Sequence, residues 1–97
     1  MRTMMRVTIP VDHGNKAIKD GSLPKIIQSL LQDVKPEAAY FTTLDGLRTG
    51  FMVFDLKDST DIPRITEPLF QGFNATVQFV PVMNADDLKT GLNKIDL

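Results

Sequence analysis

His13 and Glu67 are the two residues of this chain whose types and positions best suit proton transfer. His13 is the only histidine, and an unperturbed imidazole titrates near neutrality. It follows Asp12 just past the first strand, where it could act as a general base or simply be an exposed loop histidine. Glu67 precedes Pro68 inside an expected helix, where a proline costs about 3 kcal/mol. A kink there either aims Glu67 into a pocket as acid or base or merely fits the helix to a curved sheet. Arg6, Thr8, Tyr40 and Thr42 offer binding chemistry instead. A guanidinium can hold a carboxylate bidentately, and hydroxyls among aromatic groups are what a small-ligand pocket needs. Thr49 and Gln78 extend the set. The alternative is that Arg6 and Asp55 form a paired or solvated set at the sheet edges. With no cysteine and one histidine, thiolate sites and thiol nucleophiles are excluded and no metal site is recognisable. The six glycines are too scattered for a phosphate-binding loop. No cofactor is expected.

These side chains need a scaffold, and hydrophobic periodicity supplies one. Met5, Val7, Ile9 and Val11 alternate with Met4, Arg6, Thr8 and Pro10, which predicts a strand over residues 4–11, with Pro10 at its end. Residues 12–15 read as a loop and residues 15–20 as a short helix stopped by Gly21. Ser22 caps a second start, Pro24 suits its first turn, and Ile26, Ile27, Leu30, Leu31 and Val34 follow at helical spacing until Pro36. Residues 38–44 and 47–56 are strands joined by Asp45-Gly46, a dipeptide that favours a two-residue turn. That turn sets Tyr40 opposite Phe51 and Thr42 opposite Thr49. One face then carries Tyr40, Thr42, Leu44, Thr49, Phe51, Val53 and Asp55. The other carries Phe41, Arg48, Gly50, Met52, Phe54 and Leu56, and is assigned to the helices. Ser59 caps a third helix with Ile62, Ile65, Leu69 and Phe70 as its stripe, closed by Gly72. Residues 75–82 form the fourth strand. Asn84 caps a last helix with stripe Leu88, Leu92 and Ile95.

The order β-α-β-β-α-β plus a C-terminal helix predicts one α+β domain over residues 1–97: a ferredoxin-like antiparallel sheet with helices on one face. Eleven basic and 12 acidic residues leave a net charge of −1, which makes no electrostatic case for nucleic acid. No apolar run approaches the roughly 20 residues of a membrane span, and the N-terminus lacks a signal-peptide pattern. A cytoplasmic, bacterial-type protein is expected. A chain of 97 residues hides only about two-thirds of its unfolded surface, and Tyr40, Leu44, Phe51 and Val53 would be exposed on the second sheet face. Either a two-fold partner packs its own sheet there or the C-terminal helix folds over as a lid. The dimer is the expected solution.

Several segments resemble a family of small uncharacterised bacterial proteins: Gly14-Asn15-Lys16-Ala17-Ile18-Lys19-Asp20-Gly21, Lys35-Pro36-Glu37-Ala38-Ala39-Tyr40-Phe41, Glu67-Pro68-Leu69-Phe70, Phe73-Asn74-Ala75, and Pro81-Val82-Met83 followed by Asp86-Asp87-Leu88. Strand order and length resemble the wider dimeric α/β-barrel superfamily, which includes cofactor-independent monooxygenases and muconolactone isomerases. The resemblance implies the fold and a homodimer but no activity. The expected function is small-molecule binding or a cofactor-independent, enzyme-like role, with Arg6 anchoring an anion, His13 or Glu67 moving a proton, Tyr40 stacking or donating, and Thr8 and Thr42 lining the site. The alternative is a non-catalytic homodimeric association module. A regulatory amino-acid-binding domain shares the fold and ranks last.

Overall fold

The alternation in the first residues becomes strand β1 (Arg2–Ile9), whose side chains are half-buried and buried in strict turn. The computed structural model describes all 97 residues. β1 begins and ends two residues earlier than expected, because Pro10 turns the chain directly into helix α1 (Val11–Lys19). The segment read as a loop, Asp12 to Asn15, is therefore the first part of a helix, and His13 lies in its first turn. Gly21, at φ 80°, breaks the path before α2 (Ser22–Val34). Ser22 is not the cap: its own N–H donates to the Asp20 carboxylate at 2.8 Å, so Asp20 satisfies the orphan donor.

Strands β2 (Ala38–Leu44) and β3 (Leu47–Asp55) form the expected hairpin. Asp45 and Gly46 both have positive φ, 54° and 77°, as a type I′ turn requires. Tyr40 faces Phe51 and Thr42 faces Thr49 across the pair. A short 3₁₀ turn (Ser59–Asp61) leads into α3 (Ile62–Phe73). Here Asp58, not Ser59, accepts from the Thr60 N–H, at 2.8 Å. Pro68 sits inside α3 without ending it, and the helix runs past Gly72 to Asn74, whose φ of 53° makes the left-handed stop. Gly72 serves packing instead, since a Cβ there would come 3.1 Å from Ile26 Cδ1 of α2. Strand β4 (Thr76–Pro81) follows, shorter at both ends than expected. Asn84 then caps α4 (Ala85–Leu92) in a reciprocal box with Asp87.

The four strands are antiparallel in the order β2-β3-β1-β4, compatible with a ferredoxin-like fold. Directly opposed residues share a face, so Met5 with Met52 and Phe79, and Val7 with Gly50 and Val77, point towards the helices. The core forms there from Met5, Val7, Ile9, Met52 and Phe54 of the sheet against Ala17, Leu30, Ile65, Leu69 and Phe73 of the helices. Phe54 and Phe79 meet edge to face, with centroids 6.2 Å apart. Only 17 of 97 residues are buried, so one face of the sheet supports nearly all the packing.

The opposite face is bare. Arg6 lies between Phe51 and Gln78, and Met4 between Val53 and Val80. Tyr40 is 71 % exposed. The lid arrangement does not occur: α4 makes no extensive contact with the sheet or the other helices, and its own Leu88 and Leu92 stay exposed. The radius of gyration is 15.5 Å, against about 12–13 Å for a compact chain of this length. No helix is long and apolar enough to cross a membrane.

Candidate ligand-binding site

The expected site residues fall into two groups on opposite sides of the molecule. Arg6, Thr8, Tyr40 and Thr42 share the bare sheet face, as their registers require. The Arg6 side chain makes no ion pair or hydrogen bond within the chain, and the residue is half-buried. His13 and Glu67 belong to the helical layer, in α1 and α3. The His13 side chain is 45 % exposed, and its Nδ1 lies 3.0 Å from Asp12 Oδ1. That contact, with the His13 backbone N–H also donating to the same oxygen, holds the Asp12 carboxyl below its usual range. Glu67 is exposed and lines none of the larger hollows. The Pro68 position therefore does not aim Glu67 into a pocket. No group of three His, Asp or Glu side chains gathers as metal ligands.

A different site lies between the sheet and the first two helices. It is an apolar chamber of about 390 Å³, open on one side. Val7, Ile9 and Met52 form its floor from β1 and β3. Ile18 of α1 and Leu23, Pro24 and Ile27 of α2 form its roof, and Phe41 of the edge strand β2 closes one wall. Gly50 makes that wall possible: a Cβ there would come 3.2 Å from the Phe41 ring. Arg48 completes the lining together with Thr42 and Thr49, two residues of the expected set that border the chamber although the register puts their row on the other face of the sheet.

Arg48 is the only charged residue of the chamber. It stands opposite Ile9 at the start of β3, in the row that faces the helices. Its Nη2 donates to Asn15 Oδ1 at 2.9 Å and its Nη1 to the Val11 carbonyl at 3.3 Å. Both acceptors are uncharged, and no carboxylate forms an ion pair with it. The side chain lies flat against Gly14, where a Cβ would overlap the guanidinium. Gly14, Val11 and Asn15 thus make the first turns of α1 into a seat for Arg48.

No protein-family model matches the chain, and no curated protein matches it in sequence. The site is therefore read from its own geometry. A larger hollow of about 670 Å³ lies beside Arg2, but its charges are already spent on one another. Arg2 Nε bonds Glu37 at 2.6 Å and Nη1 bonds Asp87, which raises the Arg2 pKa above its ordinary value. Asp55 holds the N-terminal ammonium at 2.7 Å. The chamber has the opposite character, with a mostly apolar lining and one cation that has no ion pair. It contains no carboxylate, imidazole or amine, so it suits binding and orientation rather than proton transfer.

The signal for Arg48 was present in the sequence. The hairpin register places this arginine in the row assigned to the helices, and a charged residue in a core-facing row needs either a partner or a purpose.

Proposed function

We propose that the chain is a homodimeric small-molecule-binding protein of the dimeric α/β-barrel type, with the apolar chamber of each protomer as its ligand site. The chamber carries this reading. Protein interiors pack about as densely as organic crystals, and an apolar hollow forfeits dispersion contacts along its whole lining. An occupant would recover them. A volume of about 390 Å³ falls near the lower end of ordinary ligand pockets, and apolar walls with a few placed polar groups are their usual composition. The bare sheet face supports the dimer: two sheets packed about 10 Å apart would cover Tyr40, Leu44 and Val80, all exposed in the single chain. Arg6, Thr8 and Tyr40 would then face the barrel interior. The resemblance to small bacterial proteins of the barrel superfamily agrees with this, and a cytoplasmic setting is part of the same proposal.

Methyl-labelled protein tests the chamber. Titration with 1-octanol is expected to shift the δ-methyls of Ile9, Ile18 and Ile27 saturably, while Ile65 and Ile95 stay in place. Uniform shifts, or none, would contradict a ligand chamber. The exposed apolar residues of the sheet face and of α4 favour a second reading, a non-catalytic association module. It predicts the same dimer with a chamber that takes up nothing.

A further inference from the structure

Among the four arginines, Arg2 bonds Glu37 and Asp87, and Arg64 bonds Asp33 and Asp61. Arg6 and Arg48 have no carboxylate. Arg6 lies on the open sheet, without walls around it. Arg48 alone borders the open-sided apolar chamber, held in one orientation by Val11 and Asn15. A guanidinium carries five N–H donors, so those two bonds leave others free, and it always bears its charge. Half-buried beside apolar walls, that charge is less screened than on a fully solvated side chain. A group that seats an arginine on neutral acceptors keeps its positive charge available, whereas the two ion-paired arginines have theirs neutralised.

From this we infer that the chamber takes an amphiphilic monocarboxylate: an apolar aliphatic or aromatic body between Ile18, Ile27 and Met52, and its carboxylate on the Arg48 guanidinium. The inference rests on the reading of the chamber as a ligand site and adds the chemical class of the ligand. Charge complementarity selects an anionic head, and the planar guanidinium fork matches a carboxylate small enough for the chamber. The mostly apolar lining favours an apolar remainder, because hydroxyls or amides buried against it would find few partners. The chamber size restricts it to a small body. Gly14 is a positioning residue for this site, since any side chain at that position displaces the guanidinium.

Matched probes separate the head group from the body. Octanoate and 1-octanol share a chain and differ in charge, and both can be titrated into methyl-labelled protein at pH 7. The wild type should bind octanoate roughly ten- to a hundredfold more tightly than octanol, the range for a charge-assisted hydrogen bond. Octanoate alone should also move the Arg48 Nε–H resonance, a readout that needs no variant. In Arg48→Gln the preference should vanish while octanol binding persists. Gly14→Ala should weaken octanoate selectively, with the fold retained. Equal binding of both probes by the wild type, with the Arg48 resonance unmoved, would overturn the carboxylate assignment and leave the chamber reading intact. If neither probe shifts the chamber methyls, both fail together.

Discussion

Arg48 and Gly14 show how a single side chain organises the site. The guanidinium reaches from β3 to the Val11 carbonyl and to Asn15, and only a glycine at position 14 leaves room for it. Gly14→Ala should cost little stability, because alanine gains about 1 kcal/mol of helix propensity while the flexible Arg48 head swings aside. A melt within a few degrees of wild type, with the Arg48 Nε–H resonance displaced, is the expected result. Acid stability is also a residue-scale property. Asp20 is lowered first by its hydrogen bond with Ser22, Asp58 by that with Thr60, Asp12 by that with His13, and Asp55 by that with the N-terminal ammonium. Each is depressed below an ordinary value of 3.8, so each favours the folded state above that pH, and its contribution is lost as pH falls through the lowered pKa. The melting temperature should therefore hold steady from neutrality down to about pH 5 and fall below about pH 4. A melt independent of pH down to pH 2 would contradict this assignment.

Among the elements, α3 and the hairpin make the sharpest contrast. Pro68 removes one helical hydrogen bond from α3, leaving the Arg64 carbonyl without its backbone donor. Pro68→Ala should stabilise the protein by about 1–2 kcal/mol, less than the full helical cost because the unfolded chain also gains freedom. Chemical denaturation would check it. Phe73, wholly buried at the end of α3, should behave oppositely: Phe73→Ala is expected to cost about 3–5 kcal/mol, much of the stability of so small a domain. The hairpin was legible in the sequence because Asp45-Gly46 and strict alternation both act locally, and together they dictate register. The start of α1 was not. Asp12, His13, Gly14 and Asn15 are types that favour loops, and the contact with Arg48 that draws them into a helix comes from a residue more than thirty positions away. The end of α3 was misjudged for a related reason. Gly72 has the composition of a stop signal, yet its missing Cβ serves the close approach of Ile26, and the stop belongs to Asn74.

For the whole molecule, the sheet has one face packed and one face bare, and α4 stands apart from both. The succession of strands and helices and the identity of the bare face could be read from the sequence, since alternation marks the strands and the hairpin register sorts their residues between the two faces. The chamber could not, because it exists only where α1, α2 and the edge strand come together without filling the space between them. That is why His13 and Glu67, chosen by chemical type, lie exposed to solvent, while Arg48, defined by its surroundings, borders the chamber. α4 is tied back through the Arg2–Asp87 ion pair and the Val82 N–H to Arg2 carbonyl bond, 3.1 Å long. Its amides should exchange faster than those of α3 by orders of magnitude, and faster still in Arg2→Ala. If the bare face is the dimer surface, Tyr40→Glu should abolish association in sedimentation experiments without lowering helix content. Native mass spectrometry of the freshly purified protein, before and after addition of octanoate, tests the central claim most directly. A dimer that carries one small ligand per protomer is the predicted result. A monomer that acquires no added mass would contradict it.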